Sequence, residues 1–427
     1  MKLPEALSRL LDPLADRPPA PPPAAPRRSG IYLGQGMNGP VLAGPEEHVL
    51  VLGPPRSGKT TRLVVPALHR HTGPAVVTST KPDILHATTA QRATLGRCWH
   101  WDPSGTTPAP GTAEPLRWSP IPGCDNWDTA VARAHALAGA ARPNQTAHDT
   151  HWIERAEALL APLLHTCAAH RGDMAVLLSW LHRRELLQPL SLLEEEGSRR
   201  AADLLKGLAH TDTRELSGIF STADSILAAY RSDAALNAAR RPNFDPDDFA
   251  ASTDTVYLVS PGASQGVHAA LVVALLEQIR SATYERHPRP PVLYALDEVA
   301  QIAPWANLPA VLAEGGSQGL TVMACLQDLS QARARWGHAA DGFLTLFTHK
   351  VILSGVADMI TLKAVSDLAG EVDVPVRSTN RTDTLLPKSS TAWTTHRRPR
   401  LPIAAVAGCQ PGTAFLMSGT NLSRVRI

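Results

Sequence analysis

Gly53-Pro54-Pro55-Arg56-Ser57-Gly58-Lys59-Thr60 fits the spacing G-x-x-x-x-G-K-[ST] at every fixed position. Glycines at 53 and 58 let backbone N–H groups turn inward around a polyphosphate, and the N-terminus of a following helix adds partial positive charge. In that geometry Lys59 reaches the β- and γ-phosphates, the Thr60 hydroxyl ligates Mg²⁺, and Thr61 opens the helix. Far along the chain, Pro291-Val292-Leu293-Tyr294-Ala295-Leu296 is an apolar run ending in Asp297-Glu298. An acidic pair at a strand's carboxyl end supplies the other half of such a site: Asp297 holds Mg²⁺, directly or through water, and Glu298 polarises the attacking water. A third polar residue, Gln327, closes the apolar run Gly319–Leu326, where an amide senses a γ-phosphate or orients water. Taken alone, an acidic pair after a strand is more often a helix cap, and a terminal amide is often only a cap as well.

Those residues need strands and helices to carry them. His48–Leu52 reads as a short buried strand before the loop, and Thr61–Arg70 as the helix after it, with Pro66 predicting a kink or an early end. Two or three short strands precede it from Ile31 onward. Pro74–Ser79 and Arg97–Trp101 read as further strands, the first followed by Lys81 and Asp83 in what is most simply a surface turn. From about Trp118 the texture changes. Trp127–Ala141, Thr150–Arg171, Met174–Leu187, Ser198–Thr211 and Thr213–Arg240 are dense in Ala, Leu and Arg at helical spacing. His148, His151, His165 and His170 fall in this block without carboxylate or thiol partners at metal-ligand spacing. Glu194–Glu196 reads as a solvated helix end. The α/β pattern resumes with a strand at Asp254–Ser260, a helix at Val267–Tyr284, and strands at Pro291–Leu296, Gly319–Leu326, Thr348–Ser354 and, as the last, Thr413–Ser418.

The pattern predicts an α/β fold with a central, twisted, mainly parallel sheet. Four stretches follow from it: a short amphipathic helix and proline-rich linker over 1–30, a first nucleotide-binding part over 31–120, an inserted all-α domain over 121–245, and a second nucleotide-binding part over 246–427. The chain has 427 residues, long for one compact domain, and 44% hydrophobic content is ordinary for a globular protein. A net charge of +2 does not by itself argue for a nucleic-acid partner, although the end from Glu371 onward is basic. Five dispersed cysteines exclude a C-x-x-C zinc site, argue against a disulfide framework and fit a reducing cytoplasm. No run approaches the length of a membrane span, and Met1–Gly30 lacks the order of a signal peptide.

Together, Gly53–Thr60, the strand into Leu296-Asp297-Glu298, and Gln327-Asp328-Leu329-Ser330-Gln331 followed by Trp336-Gly337 resemble the type IV coupling proteins, the TraG/TraD-type ATPases of conjugative DNA transfer. Pro66, Lys81 and Trp152 are lesser matches, and the resemblance runs from about Ile31 to the C-terminus. It implies a RecA-like P-loop NTPase domain with an inserted all-α domain. It further implies ATP and Mg²⁺ as cofactors and a homo-oligomeric ring, often hexameric, that delivers DNA with its attached relaxase to a type IV secretion channel. Family members usually begin with transmembrane helices. Met1–Gly30 offers none, so the resemblance places this chain in the cytoplasm, at the membrane's inner face only through a partner. Many relatives also carry an arginine where this chain reads Glu314-Gly315-Gly316-Ser317, leaving Arg333, Arg335, Arg424 and Arg426 as candidates for a trans-acting arginine. Two other readings stand beside this one. An FtsK/HerA-like double-stranded DNA pump lacks a helical block of this size between loop and acidic strand, and a non-translocating nucleotide-dependent adaptor for secretion substrates is not stimulated by DNA.

Overall fold

The computed structural model describes residues 30–141, 147–261, 265–381 and 389–427. The amphipathic helix and linker expected before Gly30 lie outside the described residues. Fourteen strands are described: β1 Tyr32–Gly36, β2 Gly39–Leu42, β3 Val49–Leu52, β4 Ala75–Ser79, β5 Cys98–Trp101, β6 Glu114–Pro115, β7 Thr255–Val259, β8 Val292–Leu296, β9 Leu320–Leu326, β10 His349–Leu353, β11 Glu371–Arg381, β12 Ser389–Pro399, β13 Thr413–Ser418 and β14 Asn421–Arg426. Twelve form one sheet in the order β2-β1-β14-β13-β10-β3-β9-β8-β4-β7-β5-β6. From β10 to β6 all neighbours run parallel; β13, β14, β1 and β2 extend one edge antiparallel. The fold is α/β with a large, mainly parallel sheet.

The central strands are buried at every position and mostly apolar because both faces are covered. Leu50, Leu52, Val256, Leu258, Tyr294, Leu296, Val322 and Ala324 face a core shared with the helix Gln265–Arg286 and the helical block. The alternate residues Val49, Val51, Val77, Tyr257, Ala295, Met323 and Val351 face a second core, filled by Leu63, Val64, Ala67, Leu68, Ile84 and Leu85 from the helices after the loop and after β4. Pleat alternation alone sorts these two sets.

The block rich in Ala and Leu is helical from Trp127–Ala141 to Pro246–Ala250, and it enters the chain between β6 and β7. Asp173, Asp212 and Asp245 each open one of its helices by accepting backbone N–H groups. Trp152 packs so closely on Gly218 that a Cβ there would stand 2.4 Å from the indole. His165 is buried and bridges Cys124 O and Ser198 Oγ, at 2.8 and 3.0 Å. The helix Gln265–Arg286 ties the block to the sheet layer, and Phe244 packs edge-on against Trp99 of β5. Gln278 Oε1 accepts from Trp118 Nε1 (2.7 Å) and Arg133 Nη1 (3.1 Å), and the adjacent Glu277 accepts from Trp305 Nε1 just beyond the acidic strand. Trp305 in turn stacks on Tyr294 of β8 and accepts from Trp336 Nε1 through its carbonyl.

Four sequence expectations are corrected. Thr213–Arg240 is not one helix: it divides into Thr213–Ile226, a 3₁₀ turn Ala228–Arg231, and Asp233–Ala238. The turn carries Tyr230 into the core, and Ser232, in extended backbone, starts the next helix. Met174–Leu187 ends at Arg183, where Arg184 takes left-handed backbone; a new helix, Leu187–Glu196, ends in the exposed Glu194–Glu196. The helix after the loop starts as a π-helical turn, Lys59–Val64, and becomes α-helical over Val65–Arg70, so Pro66 sits in the first α turn, where its missing N–H is tolerated. Thr413–Ser418 is not the last strand: Gly419-Thr420 turns the chain into β14, with Gly419 at positive φ. A two-stranded ribbon, β11 with β12, stands apart from the main sheet and was not expected.

Candidate nucleotide site

Strand order decides which residues meet. β9 lies between β3, which feeds the loop, and β8, which ends at the acidic pair. Because neighbouring strands are about 4.8 Å apart, the loop and the acidic pair flank the end of β9, where Gln327 sits. The three elements are stitched at their carboxyl ends. Gly53 N donates to Leu326 O (3.1 Å), and Thr78 Oγ1 of β4 donates to Asp297 O (3.0 Å).

Residues 237 positions apart then touch: Thr60 Oγ1 donates to Asp297 Oδ2 at 2.8 Å. Lys59, only 5% exposed, donates to Gly53 O (2.6 Å) and Pro54 O (3.1 Å) across the loop, and its ammonium stands 3.9 Å from Glu298 Oε1. The loop's shape rests on two glycines for different reasons. Gly58 has φ +98°, and a Cβ on Gly53 would meet Ser57 Oγ at 2.6 Å and Leu353 Cβ at 3.0 Å. Arg56 is held in left-handed backbone at the exposed tip beside Pro55, and Thr61 is exposed on the first helical turn. Glu298 also has positive φ, 51°, an uncommon conformation for a non-glycine residue that turns its carboxylate back toward Lys59. Gln327 lies beside Glu298, its backbone N–H held by Gln331 Oε1 at 2.9 Å.

Both carboxyl groups are pushed above the usual carboxylate range. For Asp297 burial is the main cause, opposed by the Thr60 hydroxyl and the Lys59 charge. For Glu298 burial again leads, opposed by Lys59, with the negative Asp297 adding to the rise. Among the described residues, Asp297 Oδ1, Glu298 Oε2 and Ser57 Oγ are buried with no hydrogen-bond partner. Buried acceptors left unspent are costly unless a ligand takes them. A hydroxyl beside a carboxylate is a hard oxygen donor set of the kind Mg²⁺ selects, so the residues fit the ion.

A consequence follows for stability. Since burial raises Asp297 above its unfolded value, the folded chain holds the extra proton between those two values, and stability falls as pH rises through that window. Asp297→Asn removes the charge, so without metal or nucleotide its melting temperature exceeds wild type above the window and converges with it below. Mg²⁺ with ADP stabilises wild type far more than the variant. Thermal melts across pH, with and without Mg²⁺–ADP, measure both; a variant less stable than wild type at neutral pH contradicts this.

The other candidates are placed as follows. Lys81 and Asp83 are exposed at the turn after β4, and Asp83 opens the helix Asp83–Arg92. Arg333 is paired with Asp358 at 3.0 Å, and Arg424 lies over the Phe415 ring. Arg335 is half-buried on the helix Leu329–Trp336, and Arg426 lies on β14 at the antiparallel edge. Sequence reasoning missed Thr78, which clamps the acidic turn. Its signal was a hydroxyl inside the otherwise apolar run Ala75–Thr78.

A family model described as "Type IV secretory system Conjugative DNA transfer" matches residues 19–402. The conjugal transfer protein TraG of Escherichia coli is 24% identical over 423 residues, 88% of this chain; the chain spans 65% of that relative's length. Among solved structures, the bacterial conjugative coupling protein TrwBdeltaN70 in its unbound monoclinic form is similar with a TM-score of 0.69 at 19% identity, covering 94% of this chain and 89% of that one. The plasmid coupling protein TrwB in complex with ADP and Mg²⁺ has the same TM-score at 18% identity and the same coverage. These structures share the fold. With most of its length matched by one family model, the chain belongs to the type IV secretory system conjugative DNA transfer family.

Proposed function

We propose that this chain is an ATP-hydrolysing coupling protein of conjugative transfer, which moves DNA, or DNA carrying a relaxase, toward a type IV secretion channel. The observation that carries this reading is the meeting of Thr60 with Asp297 and of Lys59 with Glu298 at the ends of β3 and β8, in a chain of the conjugative-transfer family. A neighbour of the same fold was solved with ADP and Mg²⁺, and another with an ATP analogue, which supports ATP and Mg²⁺ here.

The residues act in distinct ways. Backbone N–H groups of Gly53–Thr60 hold the phosphates, and the Lys59 ammonium leaves the loop carbonyls to neutralise charge developing on the γ-phosphate. Thr60 and Asp297 would hold Mg²⁺, which would supply charge stabilisation to the phosphates. Glu298, whose burial raises its proton affinity, takes the proton of the attacking water. Gln327, beside it, fixes that water's orientation. Work follows when hydrolysis in one subunit of a ring is felt by its neighbour.

The division 1–30, 31–120, 121–245 and 246–427 is part of the same reading, with the helical part facing the DNA–protein substrate. The protein works in the cytoplasm, and a partner is one route by which it reaches the membrane's inner face. Among the described residues no helix is long and apolar enough to cross a membrane. The helices between β6 and β7 weigh against a compact double-stranded DNA pump.

The test is phosphate release by the full chain with Mg²⁺–ATP, with and without single- and double-stranded DNA. Turnover that rises with DNA is expected. Turnover indifferent to both forms favours the nucleotide-dependent adaptor instead.

A further inference from the structure

Among the described residues the ribbon of β11 and β12 joins no other strand, and outside itself it packs chiefly against the helix Met359–Ala369. Two strands alone are marginal in water, and the described side chains of β12 are exposed from Trp393 to Pro399. Its register sorts the side chains. The opposed pairs Asp373↔Arg397, Pro375↔Thr395 and Arg377↔Trp393 share one face; Val372↔Arg398, Val374↔His396 and Val376↔Thr394 share the other. The three valines are half-buried, but Trp393 is 67% exposed.

An indole that open, on a strand of charged and hydroxylic residues, presents a bare aromatic face that a stacking partner can cover. Charge says by what. Near the ribbon's base Arg397 lies 3.7 Å from both Glu371 and Asp373, so those acids are matched. Arg377, directly across from Trp393, and Arg398, on the opposite face, make no ion pair among the described residues. Over 371–400 the sequence holds Arg377, Arg381, Lys388, Arg397, Arg398 and Arg400 against Glu371, Asp373 and Asp383. An aromatic plane with Arg377 and the Thr395 hydroxyl on its own face, and Arg398 and Thr394 on the other, is complementary to a polyanion that wraps the ribbon with its bases free to stack.

We propose that the ribbon is an arm for single-stranded DNA, with Trp393 stacking on an unpaired base and Arg377 and Arg398 contacting phosphates. This rests on the reading that the chain handles DNA, and it adds a strand preference. A duplex keeps its bases stacked on one another, so only a single strand can use Trp393; both forms can use the arginines.

The experiment uses the full chain, a labelled oligothymidylate and a labelled duplex of equal length, followed by fluorescence anisotropy over a salt series. Trp393→Ala weakens oligothymidylate binding about five- to 150-fold, the effect of losing one stacked base, and leaves the duplex within about twofold. The double variant Arg377→Ala/Arg398→Ala weakens both and flattens the salt dependence by roughly 1.4 for the single strand and 1.8 for the duplex. Melting temperature and Mg²⁺–ADP affinity stay at wild-type values, which reports an intact motor. Equal oligothymidylate binding by wild type and Trp393→Ala overturns the arm while leaving the DNA-transfer reading standing. Failure of wild type to bind either DNA sinks both. If Trp393→Ala instead breaks self-assembly in sedimentation, with unchanged DNA affinity once assembled, the ribbon's occupant is a second copy of this chain and the proposal falls.

Discussion

Replacing Glu298 with glutamine lowers ATP turnover by about 10²–10⁴-fold, the usual contribution of a positioned general base, while ATP affinity stays within a few-fold. The amide matches the carboxylate in size but cannot accept the water's proton. The position is specific: the side chain is 18% exposed, its Oε1 faces Lys59 at 3.9 Å, and its backbone is held at positive φ. Because Lys59 also keeps its two carbonyl acceptors, the variant should fold as wild type does. Phosphate release under saturating ATP, beside equilibrium binding of a fluorescent ATP analogue, separates turnover from affinity. Wild-type turnover in this variant would mean that another group activates the water.

Lys59→Ala has an effect as large but different in kind: kcat/KM falls by at least about 10²–10³, the effect of removing one preorganised donor from developing charge. Nucleotide affinity falls with it, since the same ammonium serves bound phosphates. Stability also drops, by about 1–3 kcal/mol. Gly53 O and Pro54 O lose their donor, and Glu298 loses the charge that holds its proton affinity down. Denaturant unfolding and nucleotide titration measure the two losses independently. A variant that still binds ATP with wild-type affinity would show that the loop's N–H groups suffice.

The chemistry of the site was legible because it tolerates little variation: a phosphate loop needs glycine where φ is positive or backbone approaches closely, and a cation at one place. The central strands were legible because burial on both faces leaves an unbroken apolar run. Which strands stand side by side was not, since order in a parallel sheet depends on crossovers that leave no local mark. That is why Gln327 could be suspected from its place at a strand end, whereas its position between loop and acidic pair needed coordinates. The ribbon was only half marked: Glu371 to Arg377 places valine at every second position, a signal passed over, whereas Arg, Thr and Ser dominate β12 and leave no alternation there. β14 had a signal in Gly419-Thr420, but Asn421–Arg426 offers only two apolar residues, too few for a clear period. The break in Thr213–Arg240 was hidden by alanines, which fit a helix at any position.

Glu277 and Gln278 are consecutive, yet one grips the tryptophan that follows the acidic strand and the other grips Arg133 and Trp118 at the foot of the helical block. A close-packed interior does not absorb displacement, it passes it on. Any rearrangement at the end of β8 therefore meets the helical block through neighbouring side chains of the helix Gln265–Arg286 that already hold both.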